Sequence, residues 1–180
     1  MRVTGWTSVS MPYVVPRVDD APEPWATEAA THGGVGTQRL LDVAEVDPPS
    51  EVAEALQAVD GIQVLVRRRL MLFDERPVEL TDSYYPLHLA RGTALAEPRK
   101  IRGGAVSLLA QLGHRPRRAT EDVRARRPTP TERTLLNLAS DEWVLSLTRL
   151  LTTEAGVPVE VSMMTMVAEG RRLRYQVAIE

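Results

Sequence analysis

The hydrophobic and polar positions of the chain alternate in short runs that predict strands, with one helical stretch between the first two. Gly36–Val46 has the pattern of a first core strand, and residues 62–73 and 78–85 have that of two further strands. A helix is expected at about residues 51–58, with Ser50 as its N-cap. The first half of the chain is therefore predicted to form a strand, a helix and a hairpin.

The helix and hairpin recur 81 residues later, so that residues 130–160 match residues 49–79 without a gap. The matched residues are Pro49 with Pro130, Glu51 with Glu132, Asp60 with Asp141, Arg68 with Arg149, Leu70 with Leu151, and Pro77, Val78 and Glu79 with Pro158, Val159 and Glu160. Self-similarity at a fixed spacing indicates one unit used twice, and two such units can bury their apolar faces in one shared core. We interpret residues present in both copies, such as Arg68 and Arg149, as architectural. Residues present in only one copy are candidates for function.

The N-terminal segment, residues 1–34, is rich in proline and carries Trp6 and Trp25. Proline interrupts helices because it lacks an amide hydrogen, so only residues 23–31 are expected to form a short one. We predict an arm, mainly extended, that docks through its aromatic side chains. The domain proper is then expected to span residues 35–180.

An insert of different character separates the two copies. A short helical turn is expected at residues 88–95, followed by a charged loop at residues 97–102. Gly103 and Gly104 then open an apolar helix at residues 105–112.

The segment after the insert helix is dominated by arginine. Its alternation predicts an edge strand at residues 118–125, with an exposed face that carries Arg118, Asp122 and Arg124. A basic edge is typical of a solvated face that resists aggregation, and a phosphate track is the alternative. Residues 173–179 are expected to close the sheet.

Composition narrows the function classes. The chain has 180 residues and a mass of 20.0 kDa, enough for one domain with a substantial core. Its net charge of -2 disfavours direct nucleic-acid binding. The chain has no cysteine, and its three histidines, His32, His88 and His114, lack metal-ligand spacing, so no metal or cofactor is expected. With no apolar run of membrane-spanning length and no secretory h-region, the protein is expected to be cytoplasmic and to have no membrane partner.

Two arginines stand out because they occur in only the first copy. Arg67 and Arg69 alternate on one strand, so their side chains are expected to point to the same face. A three-residue hairpin loop would place Arg69 opposite Thr81 and Arg67 opposite Ser83, which makes a polar patch of guanidinium groups and hydroxyls. A two-residue loop would pair Arg68 with Ser83 instead. We prefer the first register because the repeat already accounts for Arg68.

The start of the insert helix is the second candidate. Backbone N–H groups at a helix start can bind an anion, although two glycines there are more often a flexible entry. Convergence with Arg69 would suit a phosphate or carboxylate of a small molecule. The candidate residues of this segment are Gly103, Gly104, Ala105 and Val106.

Catalytic groups are not evident in the sequence. It has no nucleophile beside a histidine, no phosphate-loop motif and no isolated carboxylate pair on an apolar element. Glu79 and Glu160 belong to the repeat and are interpreted as structural. The chain is therefore predicted to bind a ligand rather than to act as an enzyme.

The order of these motifs resembles the UTRA domain, the effector-binding domain of HutC-type GntR transcriptional regulators. The resemblance covers roughly residues 36–180. Its motifs are the hairpin from Arg69 through Asp74 and Pro77 to Ser83, Tyr84, Tyr85 and Pro86, the helix from Gly104 to Gly113, the strand from Arg118 to Ala125, the Pro158, Val159 and Glu160 run, and the run of Gly170, Arg171, Arg172, Leu173, Arg174 and Tyr175.

The resemblance implies an α+β, chorismate lyase-like fold, with an antiparallel sheet of about six strands flanked by helices, and usually a homodimer. It also implies a small anionic effector, such as a sugar phosphate or an amino-acid derivative. Arg69 is kept. The family often has a second arginine, a carboxylate and a Ser, Leu, Tyr run where this chain has Met71, Thr81 and residues 104–106, so the effector class stays open.

These features predict a small-molecule sensing domain of a GntR/HutC-type regulator, cytoplasmic and homodimeric. Residues 1–34 are too short and proline-rich for the family's winged helix-turn-helix. We therefore expect no direct DNA binding by this chain, and a link to DNA only through a partner regulator or as part of a longer protein. The alternatives are a chorismate lyase-like enzyme and a dimerisation module with a vestigial pocket.

Overall fold

Strands form the framework of the molecule, in a computed structural model that describes residues 6–17, 22–59 and 61–177. The strands are β1 (Trp6–Ser8), β2 (Gly36–Val46), β3 (Val64–Phe73), β4 (Arg76–Pro86), β5 (Arg118–Arg126), β6 (Val144–Thr152), β7 (Pro158–Val167) and β8 (Arg171–Leu173). Six of them make one antiparallel sheet in the order β2-β3-β4-β7-β6-β5. β1 and β8 pair separately, in parallel.

Short helices cover both faces of the large sheet. They are α1 (Met11–Val14), α2 (Pro24–Thr31), α3 (Ser50–Leu56), α4 (Leu87–Ala90), α5 (Ala105–Gln111) and α6 (Pro130–Leu135). On one face, α3 buries Val52 against Val66 and Tyr84. On the other face, α4 and α5 bury Leu89 and Leu109. The predicted α+β fold, with a six-stranded antiparallel sheet flanked by helices, is confirmed.

The two halves of the sheet have the same order of elements. β2, α3, β3 and β4 make one half, and β5, α6, β6 and β7 make the other. The halves meet where β4 pairs with β7, and Asp82 there lies opposite Met163, a residue 81 positions later. A duplicated unit related by a two-fold axis would give this arrangement. The duplication itself stays a prediction from the sequence, and one matched residue, Asp60, lies outside the described residues.

The first hairpin has the preferred register, but for a different reason. Arg69 lies opposite Thr81 and Arg67 opposite Ser83, as predicted. The turn, however, has two residues, Asp74 and Glu75, with φ angles of 46° and 62°. Positive φ at both positions is the geometry of a type I′ turn. A bulge between Met71 and Leu72 supplies the one-residue shift that we had assigned to a longer loop.

The second hairpin departs from the gapless repeat by one residue. Arg149 lies opposite Ser162, whereas Arg69 lies opposite Thr81. Since Ser162 is the residue 81 positions after Thr81, Arg149 is the structural counterpart of Arg69 and not of Arg68. The longer loop between β6 and β7 permits this shift. The interpretation of Arg68 and Arg149 as one architectural pair is therefore wrong.

The N-terminal arm docks through its aromatic side chains, as predicted. The Trp6 ring stacks on Trp25 and on His32, with centroids 5.2 and 4.7 Å apart, and meets the edge of Phe73 at 4.8 Å. The indole N–H of Trp25 donates to the backbone carbonyls of Thr37 and Leu72. The arm is less extended than expected, because α1 and α2 lie within it.

Two local predictions are wrong. The N-cap of α3 is Pro49, whose carbonyl accepts the Ala53 amide hydrogen at 2.9 Å, so Ser50 is already helical. The last strand is Arg171–Leu173, and it pairs with β1 instead of closing the large sheet. Both edges of that sheet are already formed by β2 and β5. The end of the predicted strand, from residue 178, lies outside the described residues.

Glu132 is expected to make stability depend on pH in acid. Its carboxylate accepts hydrogen bonds from Arg126, the Thr129 backbone and Thr165. These lower its pKa from the usual 4.5 to about 2, with the Arg126 contact as the largest cause. Because the unfolded chain binds that proton more readily, the contribution is complete above the unfolded pKa and is lost as the pH falls towards the folded value. In urea unfolding at a series of pH values, E132Q should lose less stability than the natural chain between pH 4.5 and 2. Equal losses would contradict this assignment.

Candidate functional site

One cavity of about 140 Å³ gathers most of the residues predicted to form a site. Its sheet side carries Arg69 and Thr81, and the start of α5 contributes Gly104, Ala105 and Val106. At about 30 Å³ for each water molecule, this volume would hold roughly five of them. The space therefore suits a small molecule, or part of a larger one.

Arg69 reaches this cavity with part of its guanidinium unused. Its Nη2 donates to the Ser83 hydroxyl at 2.8 Å. Its Nε is buried and has no hydrogen-bond partner within the described residues. Leaving a buried N–H of a charged group unpaired costs free energy, so the atom is suited to an external acceptor. Ser83 itself is fully buried, and by accepting the hydrogen bond from Nη2 it orients the Arg69 guanidinium.

The equivalent arginines in the two halves of the sheet, Arg69 and Arg149, have different neighbours on the adjacent strand. Arg149 is neutralised by Glu121 on the neighbouring strand, with 2.5 Å between Nε and Oε1. The residue opposite Arg69 on its own neighbouring strand is Leu40, which is 81 positions before Glu121. No carboxylate in the described part of the chain forms a salt bridge with Arg69. The first half thus keeps a guanidinium available where the second half pairs it.

Two carboxylates also line the cavity, the half-buried Glu79 and the buried Glu160. The Thr81 hydroxyl donates to Glu79 at 2.9 Å, and Arg171 lies 3.7 Å away. Burial raises the pKa of Glu79, and the charge of Arg171 offsets part of that effect. Ser162 donates to one oxygen of Glu160 at 2.6 Å. From the repeat in the sequence, both carboxylates had been interpreted as structural residues with no part in a binding site.

Arg67 is placed beside the cavity but is engaged with the protein. It is 4% exposed and donates to the backbone carbonyls of Leu95, Glu97 and Arg99 at 2.6, 2.8 and 2.7 Å. Burial lowers the pKa of Arg67. It borders an adjoining cavity of about 100 Å³ that shares Arg69 as a wall. Its bonded position indicates that it fixes the insert loop.

Replacing Arg67 with methionine should therefore loosen the insert rather than remove a ligand contact. Loss of three charge-assisted bonds, partly offset by hydration of the released carbonyls, should reduce the free energy of unfolding by about 1 to 2 kcal/mol. Hydrogen exchange should increase at residues 94–102. Unchanged protection there, together with lost ligand binding, would show that Arg67 contacts the effector directly.

Part of the cavity wall comes from the arm, which the sequence had not suggested. Pro12, Tyr13 and Arg17 all line it. Arg17 donates from Nε to the Gly103 carbonyl at 3.1 Å, and its own amide donates to Ser107. Gly103 thus serves to anchor the arm.

Both the backbone conformation at position 104 and the side chain of Arg17 favour glycine there. The φ angle of Gly104 is +85°, and a Cβ there would lie 3.1 Å from Nη2 of Arg17. The two glycines at the start of α5 therefore have a packing role as well as a place beside the cavity. No signal in the arm sequence identified Arg17, because its role depends on how the arm folds back over the sheet.

A larger groove of about 410 Å³ lies elsewhere, near Trp6, Val78 and Leu138. None of the predicted site residues lines it. One of its charged wall residues, Arg171, is already held by Glu28 and Glu79 and lies over the Trp6 ring. Its size alone does not indicate a ligand, whereas the smaller cavity contains the buried Arg69 Nε, which lacks a partner within the described residues.

Residues 6–17, 22–59 and 61–177 contain no group of three or more histidine, aspartate or glutamate side chains that could hold a metal. Nor do those residues include a helix that is long and apolar enough to cross a membrane.

Comparison with known proteins identifies the family of the chain. Residues 31–170 match the model of the UTRA domain. An uncharacterized HTH-type transcriptional regulator from Streptomyces coelicolor is 34% identical over 126 residues, which cover 68% of this chain and 47% of the relative. The chain thus corresponds to about half of that regulator's length.

Solved structures share the fold. A GntR-family transcriptional regulator superposes with a TM-score of 0.82 at 20% identity, over 100% of this chain and 72% of the other. The ligand-binding domain of a GntR-family regulator from Bordetella bronchiseptica gives 0.71 at 21% identity, over 91% and 97% of the two chains. The chain belongs to the UTRA domain family, with the chorismate lyase-like fold of GntR-type regulators.

Proposed function

We propose that this chain is the sensing domain of a transcriptional regulator and binds a small anionic effector through Arg69. The observation that carries the proposal is the buried Arg69 Nε, which lacks a partner within the described residues and faces Leu40 where its counterpart faces a carboxylate. A phosphate or carboxylate oxygen would complete its hydrogen bonding and its charge.

The remaining contacts define how the anion would be held. Thr81 and the backbone of residues 104–106 line the same cavity, while Ser83 orients Arg69. These hydrogen-bond donors suit the binding of an anion. We infer that the effector is bound without being transformed.

DNA recognition would then belong to another part of the regulator. The relative from Streptomyces coelicolor is of the HTH type, and the match covers 47% of it. We propose that this chain acts on a DNA-binding domain in the same protein or in a partner regulator, in the cytoplasm and as a homodimer. Two-fold assembly would also protect the exposed edge strand β5.

We propose that the N-terminal arm transmits effector binding to the DNA-binding domain or partner regulator. Since Tyr13 and Arg17 line the cavity, a bound anion would contact or displace the arm. The arm pairs with β8 at its other end, so a shift there would be transmitted along the N-terminal segment. This coupling depends on the arm's contacts and does not require the large sheet to change.

Thermal-shift screening of a library of phosphates and carboxylates tests the proposal, because a ligand that binds the folded state stabilises it by mass action. We expect at least one small anion to raise the melting temperature, and light scattering to give twice the chain mass. Failure of the whole library to shift the melting temperature would contradict effector binding. Turnover of chorismate by the purified chain would show an enzyme instead.

A further inference from the structure

The strand β5 forms an open end of the large sheet. Seven of its nine residues are exposed, whereas only four of eleven are exposed on β2, the strand at the opposite end. β5 pairs with β6 from Arg118 to Arg126 without a register shift. A long, regular and exposed edge of this kind is a template for pairing with a further strand.

The opposite end of the sheet is protected. A bulge between Leu40 and Asp42 interrupts β2. The indole N–H of Trp25 also donates to the Thr37 carbonyl of that strand, at 3.0 Å. Bulges and covering elements are means by which proteins prevent edge pairing. β5 is therefore the edge at which another strand can add.

One face of β5 carries an apolar side chain that is only partly covered. Val123 is 42% exposed and lies opposite Leu147. Its counterpart on β2 is Val43, which packs against the core beneath α4 and α5. These helices belong to the insert after β4, and they cover the first half of the sheet. Val123 thus lies at the edge without the cover that Val43 has.

The charges along β5 favour one register for a second copy. A two-fold axis perpendicular to the sheet makes two copies of β5 antiparallel, with residues of the same face opposite each other. With the axis at Val123, Asp122 lies opposite the partner's Arg124, and Arg124 lies opposite the partner's Asp122. Moving the axis by one residue would place Asp122 opposite Asp122, or Arg124 opposite Arg124. Opposite charges stabilise a strand pair and like charges destabilise it.

Both charged side chains are accessible to a partner. Asp122 is exposed. The side chain of Arg124 is 70% exposed and approaches Glu51 at 3.8 Å, so most of its guanidinium still faces solvent.

We propose that two copies of this chain associate through β5, as an antiparallel pair centred on Val123. The inference rests on the homodimer of the proposed function and adds its surface and register. The two six-stranded sheets would continue as one across the axis. Among the described residues that line the Arg69 cavity, none belongs to β5, so association and effector binding can be tested separately.

Charge reversal tests the pairing. D122R turns the facing pairs into arginine with arginine, and R124D turns them into aspartate with aspartate. Each folded variant alone should self-associate at least tenfold more weakly than the natural chain in sedimentation equilibrium. An equal mixture restores arginine opposite aspartate in every heterodimer, so its dissociation constant should return to within about threefold of the natural value.

The outcomes separate this inference from the proposed function. Unchanged dimers in both variants would overturn the β5 surface and leave a homodimer formed elsewhere. Weakened association that mixing does not restore would overturn the register. A natural chain that is monomeric at high micromolar concentration would overturn both the surface and the homodimer, while effector binding is still decided by the thermal-shift screen.

A cysteine at the axis gives a second test, which does not depend on weakened association. The chain has no cysteine of its own. Directly opposite residues of an antiparallel pair have Cα atoms about 4.5 to 5.5 Å apart, within disulfide range, so oxidised V123C should become a covalent dimer. A119C is the matched control, because Ala119 is exposed on the same face of β5 but its two copies would lie about 27 Å apart. Cross-linking of A119C, or its absence in V123C, would overturn the register.

Discussion

Replacing Arg69 with alanine is expected to weaken effector binding by about 1.5 to 3 kcal/mol, because it removes a charge-assisted hydrogen bond in a buried site. The corresponding fall in affinity is roughly tenfold to one-hundredfold. Folding should suffer less, since Arg69 makes a hydrogen bond to Ser83 but no salt bridge within the described residues. Calorimetric titration with an effector from the thermal-shift screen measures the affinity.

Arg68→Ala is the matched control for this experiment. Arg68 lies on the opposite face of the same strand and is 38% exposed, with Asp42 at 2.9 Å and Asp82 at 3.5 Å. Exposed pairs of this kind contribute about 0 to 1 kcal/mol, so both stability and affinity should change little. If Arg68→Ala abolished binding while Arg69→Ala left it intact, the cavity would not be the effector site.

Replacing Leu40 with glutamate should abolish binding without touching Arg69. The change copies the second half of the sheet, where Glu121 neutralises Arg149 at 2.5 Å from the equivalent position. An internal carboxylate opposite Arg69 would occupy the guanidinium and repel an anion. We expect affinity to fall at least one-hundredfold, about 2.7 kcal/mol.

Leu40→Gln separates the charge from the change of side chain. Glutamine has nearly the same shape as glutamate and can accept a hydrogen bond, but it cannot neutralise Arg69. The natural affinity should be reduced less than tenfold in this variant. Equal losses in Leu40→Glu and Leu40→Gln would mean that the apolar wall matters and that neutralisation of Arg69 does not.

The elements of the fold could be predicted from the sequence because they depend on local patterns. Gly36–Val46 was expected with its observed bounds, and Arg118–Arg126 to within one residue. The pairing of Arg171–Leu173 could not be predicted, since its partner, Trp6–Ser8, is more than 160 residues away in the chain. Such pairings depend on which sheet edges remain open, which only the assembled fold determines.

The site was predicted in part, and for a reason that did not hold. Arg69 and Thr81 were placed correctly opposite each other, although a bulge and a two-residue turn produce that register. The rule that repeated residues are architectural matched Arg149 with Arg68, and that match is wrong, because a one-residue shift in the second hairpin makes Arg149 the counterpart of Arg69. Glu160 was set aside by the same rule. Its place in the cavity wall depends on the assembled fold, which a sequence pattern does not encode.

The structure of the protein with an effector bound tests the central claim most directly. An effector from the thermal-shift screen would be soaked into crystals or co-crystallised, and the position of its anionic group refined. We expect an anionic oxygen within hydrogen-bonding distance of Arg69 Nε, in the cavity lined by Thr81 and residues 104–106. An effector bound in the groove beside Trp6 and Leu138, with Arg69 Nε still unpaired, would contradict it.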